Sequence, residues 1–195
     1  MISKSDFIKR LKNTSFTEQE IVQRCITHGS SFVFAGDDDK DFRLKKSIAD
    51  NFSLNPESIV MIGSAKLGFS IAPHKLWKRF DDESDIDMVI ISDKIFDNFW
   101  IDLYNFNVEL VDRSKDEQDK FQSFLKYFFK GWLRPDLFPF DYKRRDDWFN
   151  FFKSISYGEF GIRKITGAVF RNFYFYENYH IHNLKVIRQG GFING

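Results

Sequence analysis

Cysteine is almost absent from this chain. The single Cys25 rules out an intrachain disulfide, and no Cys/His spacing of a zinc site is present. Proline and glycine are scarce, with 4 and 11 residues, so connecting segments are expected to be few and short. No apolar run approaches the ~18 residues of a membrane span. The opening MISKSDFIKR lacks the apolar core of a secretory signal. Charge of one sign is also missing. The 29 Lys and Arg nearly balance the 28 Asp and Glu, for a net charge of +1, which excludes a broad basic coat for duplex nucleic acid and an acidic solvating tail. These absences set the expectation of one domain over residues 1–195, with an N-terminal helical segment over about 1–52 and C-terminal helices, cytoplasmic and without membrane insertion.

What is present is phenylalanine, 25 residues of it. With 43% hydrophobic and 29% charged residues, the chain is long enough to bury a core unaided and is not disordered. So many bulky rings read first as an aromatic core between helices. A base-stacking surface is the alternative.

The apolar period changes along the chain. Phe7, Ile8 and Leu11 fall at helical spacing, and Ile21, Val22, Cys25 and Ile26 do so again behind a Thr17 cap with Glu20 three residues later. Gly29 is placed to stop that segment, and Cys25, on the helix with Ile21 and Ile26 nearby, reads as a core residue. Asp41 to Phe52 reads as a third helix, with Leu44, Ile48 and Phe52 on one side, and Asp37, Asp38 and Asp39 form a solvated cluster near its start. The segments SIVMIG and SDIDMVIIS then read as short buried strands. Helices are expected over Asp93 to Phe106, Phe121 to Trp132, Asp146 to Ile155 and Phe175 to Arg188, with ITGAVF as a third strand and GGFING as a frayed tail. Pro135 and Pro139 break the chain between helices. Helices with a few interior strands give an α/β or α+β class.

Chemistry concentrates between Ile59 and Ser92. IVMIGSAKLGFS reads as strand, Gly-Ser, helix. Gly63 permits a tight turn and close backbone approach. Ser64 offers a hydroxyl and an amide where free N–H groups favour phosphate. Asp85-Ile86-Asp87 opens the next apolar strand. Strand alternation points both aspartates to one face, where they repel unless solvent or a cation relieves them. A hard cation such as Mg²⁺, which takes oxygen ligands, suits that pair.

Together, Gly63, Ser64, Asp85 and Asp87 resemble the pattern of the DNA polymerase beta-like nucleotidyltransferase superfamily. GSAKLGFS and SDIDMVIIS look like a bacterial subgroup, some of whose small relatives act in anti-phage defence or toxin systems. The resemblance implies an α+β fold with a small mixed sheet wrapped by helices. It implies a cytoplasmic enzyme that uses Mg²⁺ or Mn²⁺, held by Asp85 and Asp87, with ATP or another nucleoside triphosphate. A nucleotidyl group would pass to a hydroxyl of a short oligonucleotide, a single-stranded nucleic-acid end or a protein side chain. Gly63, Ser64, Lys66 and Arg134 would contact phosphate. The family usually carries a third carboxylate on a later strand, yet ITGAVF has none. Asp136, pinned between prolines beside Arg134, is the preferred substitute, and Glu109, Asp112 and Glu159 are the other candidates. Without a third acid, the chain would turn over slowly or serve as a nucleotide-binding or partner-binding module.

The gap between the motifs is long, and the surplus PHKLWKRFDDE reads as a basic, aromatic flap with Lys75, Lys78 and Arg79 near phosphate. Tyr174, Tyr176 and Tyr179 read as packing residues, with self-modification as the sharper alternative. His180 and His182 face two sides of a helix, a poor metal geometry. No G-x-x-x-x-G-K-[ST] run or Arg-x4–6-His ribonuclease spacing occurs. Oligomerisation stays open.

Overall fold

The computed structural model describes residues 1–108, 114–138 and 143–190. The fold is α+β. A mixed sheet of four strands, β1 (Ile59–Ile62), β2 (Ile86–Ile91), β3 (Trp132–Leu133) and β4 (Ile165–Phe170), runs in the order β1-β2-β4-β3. β2 pairs antiparallel to β1 and parallel to β4, and β3 closes the other edge antiparallel to β4. Around it lie α1 (Lys4–Lys12), α2 (Glu18–Ile21), α3 (Asp38–Phe52), α4 (Gly63–Leu67), α5 (Asp93–Val108), α6 (Lys115–Phe128), α7 (Lys143–Ile155) and α8 (Phe173–Gln189).

Strand alternation sorts the core into two layers. Ile86, Met88 and Ile90 of β2, with Ile59, Met61, Ile165 and Val169, face α3, α5, α6 and α7. The phenylalanines fill that layer. Phe96 stacks on Phe128 at 4.7 Å, and Phe99 on Phe138 at 5.0 Å. Gly167 of β4 lets Phe152 press against the sheet, since a Cβ there would lie 2.1 Å from its ring. On the opposite face Val60, Val89, Ile91 and Phe170 pack under Tyr176 of α8.

The N-terminal helices are part of the body. Phe7, Leu11, Ile21 and Ile26 form a cluster with Leu67, Phe69 and Ile71, and with Leu184 and Ile187 of α8. Arg188 clasps them by donating to the carbonyls of Leu11 and Phe16 and to Glu18. Thr17 and Glu20 make the expected capping box. Beyond α2 the chain widens into a π-helix, Val22–Thr27, which ends before Gly29. Cys25 is buried there. One expectation fails. Trp132 does not end a helix, because α6 stops at Phe128 and Trp132 begins β3. Pro139 and the tail from 191 lie outside the described residues.

Candidate functional site

Asp87 is the centre of the site. It sits on the α8 side of β2, opposite Ile62 on one neighbour and Thr166 on the other. Its position follows from the period of the strand. Ile86 and Met88 must point into the helical layer, so Asp87 points the other way. The Thr166 hydroxyl donates to Asp87 Oδ1 at 2.8 Å. Gly63 follows Ile62 with φ +68°, and a Cβ there would lie 3.0 Å from Asp87 Oδ2. A glycine is thus required twice, for the backbone angle and for room beside the carboxylate. Ser64 follows in the first turn of α4, whose opening amides have no partner within the helix.

Burial raises the Asp87 carboxyl above the ordinary value of 3.8; the Thr166 hydrogen bond lowers it, the charge of Asp85 raises it, and Lys75 and Arg134 pull it down. Asp85, immediately before β2, is the negative charge that acts on Asp87. Lys75 and Arg134 supply the nearby positive charge. Of the flap cations, Lys78 is paired with Asp81 at 3.0 Å. The flap is a folded excursion in which the Ser70 N–H donates to the Lys78 carbonyl and the Trp77 N–H donates to the Ser70 carbonyl. It is fastened at its far end by Arg163. This guanidinium donates to the carbonyls of Asp81 and Ser84 and to Asp82, and lies 4.5 Å over the Phe80 ring. Residues 81–84 lead directly into Asp85.

Arg134 is held beside the carboxylates by an aromatic wall. Its guanidinium lies 5.5 Å over Tyr127 and 5.5 Å over Trp132, and Trp132 packs on Phe170 and Tyr179. Asp136, the preferred third acid, is taken up by Arg134, which donates to both its oxygens at 3.3 and 2.6 Å. The negative neighbour that acts on Asp87 is Asp85. Glu159 is engaged by Arg43 at 2.9 Å. Glu109 and Asp112 lie outside the described residues.

Lys66 also differs from its expected place beside phosphate. Its side chain is 4% exposed and its amine donates to the Gly29 carbonyl. Burial lowers it to about 8, and the charges that act on it are those of Lys45 and Asp41. Tyr176 is 0% exposed and its phenol is pushed up to about 12 by burial, whereas Tyr174 is 69% exposed. Tyr179 is partly covered against Trp132.

Sequence reasoning missed Thr166 and Arg163. Thr166 carries no signal of its own in ITGAVF, because only the parallel register with β2 sets it against Asp87. Among the described residues no group of three or more His, Cys, Asp or Glu side chains converges as a metal site. Comparison of the chain with models of protein families, with curated proteins and with solved structures finds no match in any of the three.

Proposed function

We propose that the protein is a divalent-metal-dependent nucleotidyltransferase that works with two carboxylates, Asp85 and Asp87. The observation that carries this reading is the meeting of three features at one end of the sheet: the paired carboxylates, a positive-φ glycine pressed against one of them, and the cations Lys75 and Arg134 within electrostatic reach. The donor set fits Mg²⁺ or Mn²⁺, since both groups are hard oxygen ligands and Asp87 is a half-buried carboxyl raised by desolvation and by the Asp85 charge. A bound cation there would neutralise charge on a triphosphate and on a leaving pyrophosphate. The chain's own groups do the remainder. Ser64 and the first amides of α4 bind phosphate oxygens, Arg134 and Lys75 hold its outer charge, and Thr166 fixes the Asp87 carboxylate in orientation. The nucleotidyl group passes to a hydroxyl. With a net charge of +1, short acceptors suit the protein better than long duplexes. A role in anti-phage defence rests on the motif resemblance alone.

Thr166 supports a second reading. It occupies the strand position beside Asp87 where a further carboxylate would complete the site, and a hydroxyl adds no charge. A nucleotide-binding module with weak turnover follows from that substitution. One assay separates the two. Each labelled nucleoside triphosphate is incubated with Mg²⁺ or Mn²⁺, alone and with a single-stranded oligonucleotide. Pyrophosphate release with a labelled product supports the enzyme, whereas saturable binding without product supports the module.

A further inference from the structure

A cavity of about 310 Å³ opens between α1, the π-helix and the far side of α4. Its wall carries Arg10, Arg24, His28 and Lys66 against a single carboxylate, Asp6. That carboxylate is already engaged by the Ser3 hydroxyl at 2.7 Å and by Lys9 at 3.5 Å. Arg10 lies over the Phe16 ring and reaches the Cys25 sulfur, and the carboxylate within its electrostatic reach is Asp6. Arg24 forms no salt bridge among the described residues, and the carboxylate its charge acts on is Glu20. Lys66 sits at the floor, 4% exposed, with one carbonyl for its ammonium. Cations gathered in a concavity repel one another, and the arrangement is relieved by an anion that enters among them.

We propose that this cavity is a second binding site, distinct from the Asp85/Asp87 site, for a small phosphorylated molecule. Guanidinium forks match the oxygens of phosphate, and an ammonium at the floor adds a point charge. The volume lies at the lower end of the range for small-molecule sites, about 300–1,000 Å³. The cavity lining includes none of Asp85, Asp87, Lys75 and Arg134, so the two sites share no lining side chain. The cavity floor is nevertheless tied to α4. Phe32 and Val33 donate to the carbonyls of Lys66 and Ala65, each at 3.0 Å.

The test is calorimetric titration of the full chain with inorganic phosphate and with pyrophosphate, in EDTA so that no metal bridges the carboxylates. Wild type binds with saturation. Arg24→Glu, at an exposed position, weakens binding roughly tenfold or more. Asp85→Asn/Asp87→Asn retains the component of binding that Arg24→Glu removes. Circular dichroism verifies that each variant is folded. An Arg10→Ala variant, where it folds, gives the same loss as Arg24→Glu. Absence of saturable binding by wild type, unchanged affinity in Arg24→Glu, or loss of binding in the double aspartate variant overturns the proposal.

Discussion

Burial and the Asp85 charge hold the Asp87 carboxyl above its ordinary value, and that direction fixes a pH signature. A carboxyl whose folded value is raised favours the folded state below 3.8, and the advantage is lost as pH rises through the folded value. At neutral pH without metal, wild type therefore carries a penalty that Asp87→Asn removes, while the amide keeps an acceptor for Thr166. The variant should melt higher than wild type at pH 7 in EDTA, with the gap closing in acid. A gap that is constant with pH, or of opposite sign, contradicts the burial of this charge. Gly63 belongs to the same scale. Gly63→Val forces a β-branched residue to φ +68° and sets its Cβ against Asp87 Oδ2, so triphosphate affinity should fall more than in Ser64→Ala. The Ser64 change removes one charge-assisted hydrogen bond and should cost about 1–2 kcal/mol of binding. Equal affinities of Gly63→Val and wild type, by calorimetry, would show that phosphate does not approach this turn. Thr166→Asp adds a third carboxylate at a register position chosen by β4. It should raise Mg²⁺ affinity by roughly tenfold and lower melting temperature in EDTA.

The elements explain how these residues are held. β2 and β4 run parallel and start together, so Asp87 and Thr166 meet at the same end of the sheet. Arg163, just before β4, clamps the segment that delivers Asp85. Arg163→Ala removes a side chain that is only 18% exposed together with its bonds to Asp81, Ser84 and Asp82, so it should lower the melting temperature and also weaken Mg²⁺ binding. Arg163→Lys should restore little, since one ammonium cannot span the carbonyls of Asp81 and Ser84 and also lie flat over Phe80. Full Mg²⁺ affinity in the Ala variant would remove the clamp from the account. In β4 itself, Gly167→Val drives a side chain into Phe152 and should cost about 1–3 kcal/mol. That is roughly 2–4 °C in melting temperature for each kcal/mol in a chain of this size. The strands β1, β2 and β4 were legible as apolar runs, and the Thr17–Glu20 box as a spacing. β3 was not, because two residues show no period, and Trp132 continues the aromatic stripe of α6. Alternation within β2 turns Asp87 away from the helical layer, whereas Asp85 precedes the strand. The partner strand's contribution at Thr166 needed a register that no single segment encodes.

At the scale of the whole molecule, the sheet separates an aromatic helical layer from a thinner face, and the site lies on the thinner one. Asp136 and Lys66 show why charge near a motif is an incomplete guide. Arg134 captures the first, and the fold of the N-terminal helices turns the second toward Gly29. The same packing buries His180 of α8 at 4% exposure, and burial lowers its imidazole to about 4 from 6.5. A lowered base stabilises the fold above its unfolded value, so stability should fall as pH drops from 6.5 toward about 4. The loss amounts to up to about 3 kcal/mol. His180→Phe should flatten that part of the stability curve, and an unchanged acid limb would assign it to other groups. No helix among the described residues is long and apolar enough to cross a membrane. The central claim is that Asp85 and Asp87 hold a triphosphate through a divalent cation. The most direct test is calorimetric titration of the whole chain with a non-hydrolysable ATP analogue, with Mg²⁺ and with EDTA, in wild type and in Asp85→Asn/Asp87→Asn. Saturable binding that needs both Mg²⁺ and the aspartates is the predicted result. Equal affinity in the double variant, or equal affinity in EDTA, would contradict it.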